Sequence, residues 1–214
     1  MLKILILFVL SVCSVFGYFT LPGDCPKNVP VKEEFRLASF LEKWYQTHYY
    51  STDGQKLNNC SVIQWETTRT GIYLNQSRVD RGLFHRYTIG KLEIPPRIED
   101  AARLNVSFTF PDAPRRLTVR RYPFYVLATN YNYYATVYTC EYSPLIDKHF
   151  IYVWILSRHQ ILNDVSKELA IKPLSALRID PKNLVKDDLS KCSPKYFEDM
   201  QAEPMTFRYP VPIH

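Results

Sequence analysis

The chain has 214 residues, of which 46% are hydrophobic, and its 27 basic and 21 acidic residues give a net charge of +6. This length suits one domain with a full hydrophobic core. The charge is modest and the basic residues are scattered along the chain, so we expect no nucleic-acid partner, which would need a contiguous basic stripe.

The first 17 residues are typical of a secretory signal peptide. Lys3 supplies a positive charge, Ile4 to Phe16 are mostly apolar, and Val15 and Gly17 are the small residues that a signal peptidase requires. The apolar run is too short for a bilayer, which needs about 20 residues. We predict cleavage after Gly17, a single mature domain over residues 18–214, and secretion. The polar C-terminus argues against a lipid anchor.

The segments after the signal peptide predict an all-β protein. One short helical turn around Phe35–Leu41 precedes a long region of period-two alternation that is rich in Tyr, Val, Ile, Thr and Phe. Turns that contain Gly or Pro divide this region. We predict eight strands, with the bounds Trp44–Tyr50, Ser61–Thr70, Ile72–Val79, Phe84–Ile94, Arg103–Phe110, Leu117–Thr129, Ala135–Tyr142 and Phe150–Ser157.

A single helix is predicted over about 163–171, followed by a C-terminal arm over 174–214. Asn163 can cap the helix, Val165 and Leu169 form an apolar stripe, and Pro173 ends it. Eight strands followed by one helix favour an eight-stranded antiparallel up-and-down barrel over about 43–157, with the helix packed outside. The alternative on this pattern is a filled β-sandwich.

The cysteines and sequons fit an oxidising compartment. Cys13 leaves with the signal peptide, and an even number of cysteines remains, which predicts two disulfides with three possible pairings. No Cys-x-x-Cys occurs and no histidine lies at ligand spacing, so we expect no metal site. The four remaining cysteines are Cys25, Cys60, Cys140 and Cys192, and the candidate N-glycosylation sites are Asn59, Asn75 and Asn105.

Three segments together resemble the lipocalin family, most closely its apolipoprotein D and insect bilin-binding (insecticyanin-like) branch. Val31–Tyr49 contains the Gly-x-Trp block, with Glu42 where glycine is usual. Val126–Ala135 is similar to the Thr-Asp-Tyr block, with Asn130 in place of aspartate, and Val153–Arg158 is similar to the block that ends in arginine. The resemblance covers nearly all of the predicted mature chain.

The resemblance implies how one end of the barrel is closed. Trp44 would plug the narrow end from inside, and Arg158 would lie across its indole, a contact worth about 0.5–2 kcal/mol. We expect Glu42 to avoid a positive φ and Asn130 to accept a turn hydrogen bond. The family's disulfide pattern further implies the pairs Cys25–Cys140 and Cys60–Cys192.

Alternation then predicts which side chains line the cavity. If Arg158 points inward, its strand also turns Phe150, Tyr152 and Trp154 inward, and the resemblance makes Trp154 the best wall candidate. Cys140 must reach outward, which favours an inward Ala135, Val137 and Thr139. If Trp44 points inward, the same strand also turns a polar row inward, which consists of Gln46, His48 and Tyr50. The alternative is an interior that is filled by aromatic rings.

The predicted function is extracellular binding and transport of a small hydrophobic ligand, such as a bilin, carotenoid, fatty acid, sterol or retinoid. No cofactor is required for this role, although a bilin or other apolar ligand could be bound. Cationic residues in the loops of the open end favour a carboxylate-bearing ligand, unless they are simply solvated loop charges. These residues are Arg81, Arg115, Arg116 and Lys148.

Two other functions are weighed against this one. The first is an enzyme, which we do not expect, because disulfides occupy the four mature cysteines and no Gly-x-Ser-x-Gly elbow is present. We therefore assign no catalytic residues. The second is a secreted glycoprotein that acts mainly on a cell-surface receptor or a lipid surface, with ligand binding secondary.

Overall fold

The computed structural model describes residues 21–53, 58–80, 84–115, 118–194, 196 and 203–204. The predicted signal peptide, residues 1–17, lies outside them. The strands are β1 (Leu21–Pro22), β2 (Lys43–Ser51), β3 (Asn58–Thr68), β4 (Gly71–Asp80), β5 (Phe84–Glu93), β6 (Arg103–Thr109), β7 (Val119–Thr129), β8 (Tyr134–Ser143), β9 (Lys148–Ser157), β10 (Val185–Lys186) and β11 (Glu203–Pro204). The α-helices are α1 (Leu37–Phe40) and α2 (Asp164–Ile171), and 3-10 turns cover Ile98–Asp100, Lys172–Leu177, Pro181–Asn183 and Leu189–Lys191.

Strands β2 to β9 form a closed barrel. Each pairs antiparallel with the next along the chain, and β9 also pairs with β2, so the sheet has no open edge between its first and last strand. Closure satisfies the backbone groups that an open sheet would expose. The predicted eight-stranded up-and-down barrel is confirmed, and the β-sandwich alternative is wrong.

The hydrophobic core is divided between the inside and the outside of the barrel. An interior cluster surrounds Trp44, Phe40 and Phe124. A second cluster, which includes Leu127, Tyr138 and other residues, lies where the N- and C-terminal arms cover the outer surface of β7, β8 and β9. Alternation along each strand produces both clusters, because successive side chains point to opposite faces.

Two disulfides attach the arms to the barrel. Cys25 bonds to Cys140 on β8, and Cys192 bonds to Cys60 on β3. These are the two pairs that the family pattern implies. Each bond joins residues more than 100 positions apart, so it restricts the unfolded chain strongly.

Helix α2 packs on the outside of the barrel with a different face from the predicted one. Asn163 caps the helix as expected, accepting a 2.8 Å hydrogen bond from the backbone N–H of Ser166. The predicted stripe is wrong, however, because Val165 and Leu169 are 70% and 37% exposed. The small residues Ser166 and Ala170 are buried instead, since the helix lies close enough for the Thr136 hydroxyl to donate to the Ala170 carbonyl oxygen at 2.6 Å.

The C-terminal arm completes one part of the barrel wall. β2 pairs with β3 only over Lys43–Tyr45, after which the two strands diverge. β10 then pairs with β2 at His48 and Tyr49. The arm therefore replaces β3 as the neighbour of β2 in the half of the barrel toward the loop that follows Ser51.

Within the described ranges, no helix is long and apolar enough to cross a membrane.

Candidate functional site

Trp44 closes one end of the barrel. Its side chain is fully buried, and its indole N–H donates to the Phe40 carbonyl oxygen at 2.7 Å. The Arg158 guanidinium carbon lies 3.7 Å from the centre of a Trp44 ring. The same guanidinium donates to the carbonyl oxygens of Tyr131, Lys43, Ser39 and Phe40. Arg158 thus ties three chain segments together over the indole.

The two departures from the family pattern behave differently at this end. Asn130 accepts hydrogen bonds from the backbone N–H groups of Tyr133 and Tyr134 at 2.9 and 3.1 Å, as expected. Glu42 does not avoid a positive φ: its value is +79°. The reversal of the chain before β2 demands this conformation, and a residue other than glycine adopts it at a cost of about 1–2 kcal/mol.

Beyond the plug lies a cavity of about 230 Å³. The part next to the plug is apolar, because five lining residues also belong to the interior cluster or pack against it, namely Ile63, Leu74, Val106, Phe124 and Trp154. The alternative of an interior filled by aromatic rings is therefore wrong. The remaining lining residues are Gln46, Tyr49, Tyr50, Ser51, Asp53, Gln76, Arg78, Thr88, Phe108, Phe110, Tyr122, Pro123, Thr139, Glu141 and Tyr152.

The part of the cavity toward the open end carries paired polar groups. The Tyr152 hydroxyl donates to Asp53 at 3.1 Å. Arg120 forms an ion pair with Glu141 and lies over the Tyr122 ring, 5.3 Å from its centre. Burial raises the pKa of the Tyr122 and Tyr152 hydroxyls above the ordinary value for tyrosine, so both remain neutral at physiological pH.

The structure brings several predicted wall residues together. Trp154, Tyr152 and Thr139 line the cavity. Ala135 and Val137 are fully buried in the interior cluster around the plug and do not line the cavity. Phe150 is buried too, but it is not a lining residue.

The predicted inward direction of His48 is wrong. The β2–β9 register shifts between Gln46 and His48, so one extra residue reverses the alternation, and Tyr49 rather than His48 lines the cavity beside Trp154. Burial, with the nearby charges of Lys167 on α2 and Lys186 on β10, lowers the His48 pKa to about 4.

Tyr50 shows the effect of the same register shift. It is a lining residue, yet it is paired with Val153 and packs against the outer cluster. Tyr50 therefore lies on the cavity wall and also contacts the outer cluster.

Several lining residues were not predicted, among them Gln76, Arg78, Tyr122 and Glu141. Alternation within β4 could have indicated Gln76 and Arg78, because they continue the inward row of Leu74. Of the loop cations, Arg81 and Arg116 lie outside the described residues. Arg115 and Lys148 are exposed and do not line the cavity.

A buried carboxylate connects the cavity wall to the C-terminal arm. Asp187 is 3% exposed and accepts hydrogen bonds from the backbone N–H groups of Cys60 and Ser61 at 3.1 and 3.3 Å. It also accepts one from the Gln46 amide nitrogen at 3.4 Å. Burial raises the pKa of Asp187 to about 6, although these hydrogen bonds act in the opposite direction.

His48 and Asp187 should influence stability in opposite directions in acid. The lowered pKa of His48 contributes stability that is present above pH 6.5 and is lost as the pH falls through 4. The raised pKa of Asp187 contributes stability that is present below pH 3.8 and is lost as the pH rises through 6.

As the pH is lowered from 6.5 to 4, we therefore expect the His48→Gln variant to lose less thermal stability than the parent protein. Over the same change, the Asp187→Asn variant should lose more. Each difference is limited to about 1.4 kcal/mol per pH unit. Unfolding midpoints measured across this range provide the check. Two variants whose profiles run parallel to the parent would contradict this account.

Among the described residues, no group of three or more His, Cys, Asp and Glu side chains could hold a metal ion.

Comparisons with known proteins agree with this architecture. The profile of the Lipocalin / cytosolic fatty-acid binding protein family matches residues 97–188. Insecticyanin-A of Manduca sexta is 30% identical over 178 residues, covering 82% of this chain and 91% of the relative. Apolipoprotein D of Cavia porcellus is 29% identical over 177 residues, covering 79% and 85%. The solved structure of insecticyanin from the tobacco hornworm Manduca sexta superposes with a TM-score of 0.69 at 25% identity, covering 89% of this chain and 97% of the other.

Proposed function

Because the chain belongs to the lipocalin family, whose members are binding and transport proteins, we propose that it binds and transports one small hydrophobic molecule in its barrel cavity. The observation that carries this proposal is the apolar cavity above the Trp44 plug, with one end closed. Each 100 Å² of apolar ligand surface that is buried there contributes about 2.5 kcal/mol before the cost of association. Specificity must then come from shape and a few polar contacts.

The cavity supports a compact ligand with a neutral polar end. Its volume of about 230 Å³ is below the ~300–1,000 Å³ of typical small-molecule sites, so a large pigment such as a bilin would have to extend through the mouth. Three charged residues of the described chain line the wall, namely Asp53, Arg78 and Glu141, and their formal charges sum to −1. This balance does not favour an acidic ligand over a neutral one of the same size.

The proposal predicts that Trp154 contributes to binding. N-phenyl-1-naphthylamine, which fluoresces in apolar surroundings, should bind the parent protein, and Trp154→Ala should weaken binding by about tenfold, because a large part of the wall is removed. Ile89→Ala is a matched control, since Ile89 is exposed on the outer face of β5. Equal affinities of the two variants would argue against the cavity as the binding site.

We also propose that the protein acts outside the cell, where its two disulfides persist. Asn59 is exposed and Asn105 is half-buried, whereas Asn75 is only 8% exposed. A glycan therefore fits Asn59 and Asn105 better than Asn75. Peptide mass spectrometry of the secreted protein tests this assignment, and a fully occupied Asn75 would contradict it.

A further inference from the structure

Gln46 is a polar residue in an unusual position on the cavity wall. It lies on β2 after Trp44, points inward and is almost completely buried. A primary amide has one end that only donates hydrogen bonds and one end that only accepts them. Which end faces a ligand therefore depends on what holds the other end.

Asp187 holds the nitrogen end. The arm presents this residue directly after β10, where its backbone N–H donates to the Thr47 carbonyl oxygen at 2.9 Å. One oxygen of its carboxylate lies 3.4 Å from the Gln46 amide nitrogen, and the two carboxylate oxygens also accept from the N–H groups of Cys60 and Ser61. An ionised carboxylate has no proton to donate.

This arrangement fixes the orientation of the Gln46 amide. A reversed amide would place its oxygen against the carboxylate, leaving two buried acceptors in contact without a hydrogen. The oxygen, Oε1, must consequently be the end that does not face Asp187. Within the described ranges, no donor is hydrogen-bonded to Oε1, although Gln46 lines the cavity.

Three other polar side chains on the wall already have hydrogen-bond partners. Asp53 accepts from Tyr152, and Glu141 accepts from Arg120. The Thr139 hydroxyl is committed to donating to the Pro123 carbonyl oxygen. Gln46 therefore provides a neutral acceptor with a fixed direction near the middle of the wall.

We propose that Gln46 is a specificity-determining residue that selects ligands carrying an N–H or O–H donor, and that Asp187 is the positioning residue that orients its amide. This inference rests on the proposed function, because it assigns the polar chemistry of the ligand held in the same cavity. An alcohol, a secondary amine or a pyrrole fits this requirement. A hydrocarbon or an ether of the same shape does not.

The test compares two probes of nearly equal shape. N-phenyl-1-naphthylamine carries one N–H donor, whereas 1-phenoxynaphthalene has an ether oxygen in its place. The second probe is measured by its displacement of the first at pH 8, where Asp187 is ionised. We expect Gln46→Met to reduce the ratio of the two affinities about fivefold, the worth of one hydrogen bond in a site of this kind.

Two further variants distinguish a loss of the Gln46 amide orientation from a nonspecific loss of affinity for both probes. Asp187→Asn should lower the same ratio, because an amide can either donate to or accept from Gln46 and no longer fixes its direction. A purely structural loss would weaken both probes equally and leave the ratio intact. Gln76→Met is the matched control, since Gln76 lines the cavity and, among the described residues, forms no hydrogen bond with the Asp187 carboxylate. It should change both affinities by a similar factor.

A ratio that is the same in the parent protein and in Gln46→Met would overturn the inference while leaving the proposed function standing. A Gln76→Met variant that lowers the ratio as much as Gln46→Met would overturn it too. If neither probe enters the parent protein, the proposed function itself fails and the inference fails with it. If Asp187→Asn does not fold, the affinity ratio measured in Gln46→Met still tests the inference on its own.

Discussion

Replacement of Trp44 by alanine is expected to destabilise the protein by about 4 kcal/mol, the typical cost of removing a buried tryptophan. The indole is fully buried in the interior cluster, donates to the Phe40 carbonyl oxygen and lies under the Arg158 guanidinium. Its loss would leave a void beneath that charge and remove the surface on which Arg158 rests. Urea unfolding at equilibrium, followed by circular dichroism, measures the change.

Trp154→Ala is the matched comparison, because it removes the same side chain from the cavity wall rather than from the plug. Trp154 is only partly buried and already borders empty space, so its removal should cost less than about 2 kcal/mol. Trp44→Ala is thus expected to reduce mainly the stability of the fold, and Trp154→Ala mainly the affinity for the ligand. Equal losses of stability would mean that the plug has no special role.

Removal of the Cys60–Cys192 disulfide, by changing both cysteines to alanine, should cost about 4–5 kcal/mol in the chain-entropy model. The bond closes a loop between residues 132 positions apart. It also holds the arm against β3, where Asp187 accepts from the backbone N–H groups of Cys60 and Ser61. Thermal unfolding of the double variant tests the loss of stability.

The Cys25–Cys140 pair provides the control, because its separation of 115 positions predicts a similar loss of stability. Hydrogen exchange distinguishes the two variants. The amides of residues 60 and 61 should exchange faster only when Cys60–Cys192 is absent, since the other bond attaches the N-terminal arm. An unchanged unfolding temperature in the Cys60–Cys192 variant would refute this account of the arm.

Features with strong local signals could be predicted from the sequence. The alternation of β-branched and aromatic residues located all eight barrel strands. The resemblance around Trp44 and Arg158 led to the plug, and the Asn163 cap marked the start of α2. These signals lie within short segments, so tertiary context does not change them.

The details of the site depend on geometry that the sequence does not display. One extra residue in β2 reverses the alternation after Gln46, which turns Tyr49 rather than His48 toward the cavity. The close approach of α2 favours Ser166 and Ala170 at the contact, although Val165 and Leu169 are more apolar.

Asp187 illustrates a second limit of sequence reasoning. It contacts Gln46 across 141 positions of the chain, and no local pattern distinguishes it from other acidic residues of the arm. Asp187 reaches the cavity wall because β2 and β3 diverge and β10 pairs with β2 in the space that they leave. This arrangement is visible only in the folded structure.

The central claim is that the barrel is hollow and holds one ligand. Native mass spectrometry of the folded protein with N-phenyl-1-naphthylamine tests this claim most directly. We predict a single adduct per chain, and its loss in Thr88→Trp, which places a large ring system in the cavity. Either no adduct with the parent protein, or adducts that persist unchanged in Thr88→Trp, would contradict the claim.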